Sequence, residues 1–294
     1  MSSQPCLISP DSTTVDLSLR EVLAGRIVIV VGWLRRHGML EVVRRETFSA
    51  LADAASPHSA QEVERRGLEQ LHTVVTPAQV SAARTILETR LRPIATRIAL
   101  AFAASLSRQR SPLYLGHHSG VRIMLPEQTI LTHRTAFEEL TGFMVPHDLH
   151  RDSWYNTSIN SINLWMAISR VRKGNGLLVF PDAYRQDARQ QDTPVGRPLN
   201  FEMESGAILL FAGDHLHSSE PNATDETRYV LTKRLSLGTP RYNPRGSGWV
   251  PYYDTRLLGT ALQPLASLRS RATAGYARNL ARTIRSRAIG TRVG

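Results

Sequence analysis

Turn residues divide the chain after Leu113 into short apolar segments, and this pattern constrains the fold more than any other feature of the sequence. Gly, Pro, Asn and Asp separate the segments. Those that resemble strands are Leu113 to Met124, Ile159 to Val171, Leu177 to Phe180, Asn200 to Glu202, Ala207 to Phe211, His215 to Ser219 and Arg228 to Leu237. Short strands that alternate with turn residues predict a β-barrel or jelly roll.

The segment before Leu113 has mainly helical patterns. The predicted helices are Val15 to Leu23, ended by Gly25, then Met39 to Ala55, and a long helix that Thr76 caps, with Pro77 at its first position and Pro93 as a possible kink towards Leu106. The β-branched run Arg26 to Val31 instead predicts a first strand. We expect these helices to support a sheet rather than to bind a ligand.

The length of 294 residues is ordinary for a single domain built on a β-barrel. We therefore predict one domain over residues 1–294. Its parts are a mainly helical support over 1–112, a β core over 113–240, and a loop followed by a basic C-terminal helix over 241–294.

Composition limits the class of protein. An apolar fraction of 41% is enough for a sizeable core, and the single cysteine, Cys6, excludes an internal disulfide and a cysteine-rich zinc site. The polar start, Met1 to Pro10, lacks the apolar core of a signal peptide, and the apolar run Ile27 to Leu34 is too short to span a bilayer. We expect a soluble, cytoplasmic protein without a membrane span.

Positive charge is concentrated at the C-terminal end of a chain whose formal net charge is +11. No acidic residue follows Asp254, whereas eight arginines do: Arg256, Arg269, Arg271, Arg278, Arg282, Arg285, Arg287 and Arg292. A solvated, arginine-rich helix is the interpretation that we favour. A surface for nucleic acid or an anionic membrane is the alternative.

Two histidines and one aspartate form a candidate metal site. His150 and Asp152 are two residues apart, so on a strand they would face the same side. His217 lies 65 residues after Asp152, before a polar turn that returns the chain as a hairpin and brings Arg228 alongside; His215 is a rival ligand. Two imidazoles and one carboxylate hold iron(II) on one side and leave the opposite side open.

These residues lie within motifs of a known family. The motifs are His150-Arg151-Asp152-Ser153-Trp154-Tyr155, Asn163-Leu164-Trp165, Gly176-Leu177-Leu178-Val179-Phe180-Pro181, and His217-Ser218-Ser219-Glu220-Pro221-Asn222 with Arg228. On them, residues 113–240 resemble the double-stranded β-helix core of the iron(II)/2-oxoglutarate oxygenases, particularly the phytanoyl-CoA dioxygenase-like superfamily. The chain departs mildly after Pro181, where relatives continue with x-Ser-His.

The resemblance implies a mainly β fold with flanking helices (α+β) around a cupin-like jelly-roll core. It also implies that His150, Asp152 and His217 bind Fe(II), and that Arg228 binds the distal carboxylate of the cosubstrate 2-oxoglutarate. Asn163 and Ser219 occupy polar positions that help to hold 2-oxoglutarate in relatives, and O2 is the oxidant.

The resemblance further implies a reaction type. Halogenases of this superfamily carry Gly or Ala at the position of Asp152, so we expect hydroxylation, desaturation, epoxidation or ring closure, with succinate and CO2 as coproducts, and not chlorination. We expect a small-molecule substrate from bacterial secondary metabolism. Two alternatives remain open: an oxygenase for nucleic acid or protein that uses the basic tail, and a cupin-like metal-binding protein without turnover.

Overall fold

The computed structural model describes residues 5–9, 14–133, 144–155, 157–186, 196–244, 250–256 and 258. The helices are α1 (Leu19–Leu23), α2 (Trp33–Arg36), α3 (Met39–Ala54), α4 (Pro57–Arg66), α5 (Pro77–Ser105) and α6 (Glu127–Thr132). The strands are β1 (Cys6–Ile8), β2 (Val28–Val30), β3 (Leu113–Met124), β4 (Ser161–Ala167), β5 (Leu177–Phe180), β6 (Ile208–Ala212), β7 (Leu216–Ser219), β8 (Arg228–Leu237) and β9 (Tyr252–Asp254).

The strands form two sheets. The large sheet has the order β1-β2-β6-β4-β8-β3-β9, and the small sheet pairs β5 with β7. Single bridges extend the small sheet on both sides, between His150 and His217 and between Val179 and Leu199. The chain therefore alternates between the two sheets. It passes from β3 in the large sheet to His150 beside the small sheet, then from β4 in the large sheet to β5 in the small one. It passes again from β6 in the large sheet to β7 in the small one, and returns to the large sheet in β8. This is a double-stranded β-helix, and the predicted fold class is confirmed.

Both faces of the large sheet are buried. Successive residues of a strand point to opposite faces, so neighbouring residues of one strand pack against different partners. On β4, Trp165 and Ala167 belong to an apolar cluster that joins the two sheets. Leu164 and Met166 belong to a second cluster, shared with helices α3, α4 and α5. The whole of β4 is thus buried, which explains why the run from Leu164 to Ala167 is apolar on both faces instead of alternating with polar residues.

The helix predictions are confirmed for α3 and α5. Helix α5 begins at Pro77 behind a capping box of Thr76 and Gln79, and it continues through Pro93. The first helix was predicted to begin at Val15, but α1 begins at Leu19, after Ser18, which caps it. Val15 instead forms a parallel bridge with Leu106, so tertiary pairing overrides the local helical pattern there. None of the helices within the described ranges has the length and apolar character needed to cross a membrane.

Three predicted strands, β3, β5 and β8, have the bounds expected from the sequence. The predicted strand Asn200 to Glu202 is wrong. The residues on either side, Leu199 and Met203, pair with Val179 and Val171 respectively, so the segment passes between two partners without a continuous ladder. The predicted C-terminal helix beyond Pro264 lies outside the described residues.

Residues 1–112 contribute strands as well as helices. Strand β2, which the run Arg26 to Val31 predicted, pairs antiparallel with β6 and parallel with β1. Strand β1 was not predicted. These two strands form one edge of the large sheet, so the N-terminal part is built into the barrel wall.

Candidate metal centre

Backbone pairing brings together the three side chains predicted to bind metal. His150 N donates to His217 O and His217 N donates to His150 O, both at 2.9 Å. The amide of Asp152 donates to Gly213 O at 3.0 Å, in the turn that links β6 to β7. One potential ligand atom from each of the three side chains lies within 4.8 Å of the others, and all three residues are buried.

The expectation that His150 and Asp152 lie on one strand is wrong. His150 belongs to a single bridge, and Asp152 begins a short 3-10 helix, Asp152–Trp154. The hydrogen bond from Asp152 N to Gly213 O holds the carboxylate against the end of the small sheet. A turn therefore brings the two side chains to one site, where the sequence pattern suggested strand alternation.

The two imidazoles are oriented for metal binding. His150 Nδ1 lies 2.6 Å from Asp148 O, and His217 Nδ1 lies 2.8 Å from His215 O. Because a carbonyl oxygen only accepts, Nδ1 carries the proton and Nε2 keeps its lone pair. Burial lowers the pKa of His150 to about 2, helped by the adjacent His217, and burial also lowers the pKa of His217. Both rings are therefore neutral, the form that binds metal.

The carboxylate of Asp152 is ionised and held by two partners. Arg234 Nη2 donates to Oδ1 at 2.8 Å and Arg234 Nε to Oδ2 at 3.1 Å. Asn163 Nδ2 donates to Oδ2 at 2.7 Å. Burial alone would raise the pKa of Asp152, but the charge and the hydrogen bonds of the Arg234 guanidinium hold it well below its usual range. The site therefore offers one negative ligand and two neutral ones.

The three side chains lie on the wall of a cavity between the two sheets. Polar groups, aromatic rings and one aliphatic side chain share its lining. The lining residues are Arg122, His147, His150, Asp152, Asn163, Trp165, Leu177, Phe211, His217, Ser219, Thr232 and Arg234.

Arg228 is fully buried at the start of β8. Its Nη1 donates to Asn175 O and Gly176 O, both at 2.7 Å, and its Cζ lies 5.6 Å from the centroid of the Trp165 ring. Its Nε has no hydrogen-bond partner among the described residues. Burial, assisted by the positive charge of Arg122, lowers the pKa of Arg228 to about 9, so it remains a cation at neutral pH. Trp165 lines the cavity, whereas Arg228 is not among the lining residues and lies against the Trp165 ring.

The two other predicted cosubstrate residues both line the cavity. Ser219 ends β7, two residues beyond His217, and so follows it on the same side of the strand. Asn163 lies on β4, but its amide nitrogen is directed at Asp152. Contact of either residue with 2-oxoglutarate stays a prediction.

The rival histidine does not join the cluster. His215 precedes β7, where it is fully buried and stacks on Tyr184 at a centroid distance of 4.2 Å. Burial lowers the pKa of His215 to about 4. His117 is also engaged elsewhere, with its Nδ1 2.8 Å from Tyr253 Oη. The geometry thus favours His217 over His215 as the second imidazole.

Sequence reasoning missed three arginine and histidine residues that line the cavity. Arg234 lies six residues after Arg228 on the same strand, so strand alternation places both on one face, a signal that could have identified it. Arg122 lies on β3 between the buried Val121 and Ile123. His147 stacks on the His150 ring at 4.0 Å, and no pattern in the sequence indicates this contact.

The family resemblance is confirmed. Residues 103–230 match the family described as Phytanoyl-CoA dioxygenase (PhyH), a segment of 128 residues that spans β3 to the start of β8 and includes all three candidate ligands. This part of the chain, which is less than half of its length, is therefore similar to the phytanoyl-CoA dioxygenase family. No curated protein matches the chain.

Several solved structures are similar to this chain at low identity. The epimerase SnoN from nogalamycin biosynthesis is 17% identical over 78% of this chain and 86% of its own, with a TM-score of 0.41. The non-heme monooxygenase ThoJ, solved as a nickel complex, is 14% identical over 85% and 92%, with a TM-score of 0.37. The carbocyclase SnoK from nogalamycin biosynthesis is 14% identical over 57% and 64%, with a TM-score of 0.35.

The residues present fit the cofactors of the matched family, which are iron(II), 2-oxoglutarate and O2. Two imidazole nitrogens and one carboxylate are the ligand set of non-haem iron(II) sites. The buried Nε of Arg228 lacks an acceptor in the part of the chain that the structure describes, and a buried donor without a partner is costly. An anionic cosubstrate beside Trp165 would supply that acceptor.

Proposed function

We propose that this protein is a non-haem iron(II)- and 2-oxoglutarate-dependent oxygenase that oxidises a small molecule and releases succinate and CO2. One observation carries the proposal: His150, Asp152 and His217 converge within 4.8 Å, buried on the wall of a cavity. The three ligand residues are buried, and the cavity leaves space beside them. That arrangement suits a reactive metal centre better than a purely structural metal ion.

Each residue has a distinct proposed role. His150, Asp152 and His217 hold iron(II), which supplies oxidising chemistry once 2-oxoglutarate and O2 are bound. Arg228 pairs with the distal carboxylate of 2-oxoglutarate, and Ser219 donates to the same group. The orphaned Nε of Arg228 supports this role.

The cavity also supports a role for residues outside the predicted set. Arg122 adds a second guanidinium for an anionic cosubstrate, and Asn163 provides a further amide near the ligands. Trp165, Phe211 and Leu177 contribute apolar walls that exclude water and orient a substrate.

We propose a hydroxylation-type oxidation, with desaturation, epoxidation and ring closure as variants of the same chemistry. Asp152 supports this assignment, since a carboxylate occupies the place that a bound halide needs. Products formed in chloride buffer are then expected to gain oxygen or lose hydrogen. Mass spectrometry of such products checks this, and a chlorine isotope pattern would exclude the assignment.

Succinate release tests the function. Purified protein loaded with iron(II) under argon should, on admission of air and 2-oxoglutarate, release succinate and CO2 in equal amounts, slowly even without the substrate. Asp152→Ala is the control and should release neither. Metal binding without any succinate from the unaltered protein would instead favour the cupin-like metal-binding alternative.

We also take residues 1–294 as one oxygenase domain. Its support is a single apolar cluster that includes Val30 on β2, Val43 on α3, Leu87 on α5 and Leu231 on β8. Limited proteolysis should then yield no stable fragment restricted to residues 113–240.

A further inference from the structure

The two oxygens of the Asp152 carboxylate have different surroundings. Oδ2 accepts from Arg234 Nε at 3.1 Å and from Asn163 Nδ2 at 2.7 Å. Oδ1 accepts only from Arg234 Nη2, at 2.8 Å, among the hydrogen bonds of the described residues. A carboxylate oxygen offers about two lone-pair sites. Oδ2 is therefore saturated, whereas Oδ1 keeps one site for another partner.

The unsaturated oxygen is also the one that lies near the His150 imidazole. His150 Nε2 lies 3.8 Å from Asp152 Oδ1. Since His150 Nδ1 is committed to Asp148 O, the Nε2 lone pair and the unused site on Oδ1 are both available to one ion. The hydrogen bonds to Oδ2 thus select which oxygen can be a ligand.

We propose, on the basis of the function proposed above, that Arg234 and Asn163 are positioning residues that restrict Asp152 to metal binding through Oδ1 alone. An octahedral ion held by two nitrogens and one oxygen keeps about three free positions. Two of these would be available to 2-oxoglutarate and one to a further ligand. A carboxylate bound through both oxygens would occupy one of these three positions.

The sheet gives this arrangement its rigidity. Asn163 on β4 and Arg234 on β8 are direct cross-strand partners in the large sheet. Both side chains therefore approach Asp152 from the sheet rather than from a loop, and the large sheet fixes their spacing. Arg234 carries a full positive charge beside the ligand, where burial opposes its ionisation but the charge of Asp152 raises its pKa.

Two variants test the proposal. Arg234→Met removes both donors with little change in length, and Asn163→Leu removes the amide donor. Arg256→Met is a matched control, because Arg256 also forms a two-donor pair with a buried carboxylate: its Nε and Nη2 lie 2.9 and 2.7 Å from Asp254 Oδ1 and Oδ2. Mn(II) serves as the probe, and water-proton relaxation counts the waters that it binds.

With Oδ2 released, Asp152 is expected to bind Mn(II) through both oxygens. Arg234→Met and Asn163→Leu should each show one bound water fewer than the unaltered protein, and the Mn(II)-loaded variants should bind 2-oxoglutarate tenfold or more weakly. Arg234→Lys, which keeps the charge and one donor, should be intermediate. Arg256→Met should match the unaltered protein in both measurements.

Other outcomes are equally informative. Loss of Mn(II) affinity in a variant with an unchanged melting curve also supports positioning, since second-layer partners affect metal affinity by about 10–100-fold. Unchanged affinity, water count and 2-oxoglutarate binding in both Arg234→Met and Asn163→Leu overturns the proposal. If the unaltered protein binds Mn(II) but no 2-oxoglutarate, the proposed function fails instead. If Arg234→Met does not fold, the same three measurements on Asn163→Leu alone decide whether the proposal stands.

Discussion

Single side chains at the centre should differ sharply in their effect on metal binding. His150→Ala, Asp152→Ala and His217→Ala should each abolish turnover and strongly weaken iron binding, because a three-ligand site cannot lose one ligand. His215→Ala should retain metal, since His215 stacks on Tyr184 outside the cluster. Calorimetric titration with Co(II) measures this. Metal loss in His215→Ala together with retention in His217→Ala would reverse the ligand assignment.

Arg228 should govern the affinity for 2-oxoglutarate. If Arg228 pairs with the distal carboxylate as we propose, its removal leaves that carboxylate without a buried partner, at a cost of roughly 2–5 kcal/mol. The Michaelis constant for 2-oxoglutarate should therefore rise tenfold or more in Arg228→Ala, with partial recovery in Arg228→Lys. The melting temperature should also fall, because Arg228 Nη1 supports the carbonyls of Asn175 and Gly176.

Arg122 is the informative comparison for that experiment, because it lines the cavity from β3. A Michaelis constant that is unchanged in Arg228→Ala but raised in Arg122→Gln would move the carboxylate partner from β8 to β3. The iron ligands would be unaffected by that result, since neither arginine is among the three convergent ligands.

Among the structural elements, the turn between β6 and β7 controls the position of Asp152. A Cβ on Gly213 would lie 2.3 Å from Ser161 Oγ and 3.5 Å from Asp152 Cβ. Gly213→Ala should therefore displace the turn, at an overpacking cost of about 1–3 kcal/mol, and weaken metal binding. Thermal melting and Co(II) titration measure both effects.

Removing the obstructing oxygen tests the cause. The double variant Gly213→Ala with Ser161→Ala should recover most of the lost stability and metal affinity, because Ser161 Oγ is the nearest atom to the added carbon. Ser161→Ala alone is the control. A double variant no better than Gly213→Ala would show that the cost arises from the backbone of the turn instead.

The sequence predicts elements well where local pattern and tertiary pairing agree. The bounds of β3, β5 and β8 follow from turn residues on each side, and α5 follows from its cap and Pro77. It fails where distant partners decide. Val15 pairs with Leu106, and the segment between Leu199 and Met203 passes between two partners; neither contact leaves a local signal.

The same distinction applies to the site. The spacing of His150, Asp152 and His217 was sufficient to predict that they lie together. It did not predict that a turn, and not a strand, positions Asp152. The partnership of Arg234 with Asp152 depends on which strands are neighbours in the sheet, and a single sequence does not specify this.

At the scale of the whole molecule, the net positive charge raises the question of whether it attracts an anionic substrate or partner. The arginine-rich segment 260–294 lies outside the described residues, and we expect it to be a solvated face. The rate of succinate release should then stay flat as the Debye length shrinks from about 30 Å to about 8 Å. A steep fall that disappears when the chain is truncated after Gly259 would show that this segment attracts an anionic substrate or partner.

The pairing of β2 with β6 also affects the order of events during synthesis. Val28 lies opposite Leu210, so the ribosome must add 182 residues before the edge of the large sheet can close. At typical elongation rates this interval is roughly 10–40 s. During that time Val28 and Val30, both fully buried in the finished protein, can pair with β1 but with no other strand of the large sheet. Helices α1, α2 and α3, which are translated close to β2, belong to the same apolar cluster and can bury these valines before β6 is made.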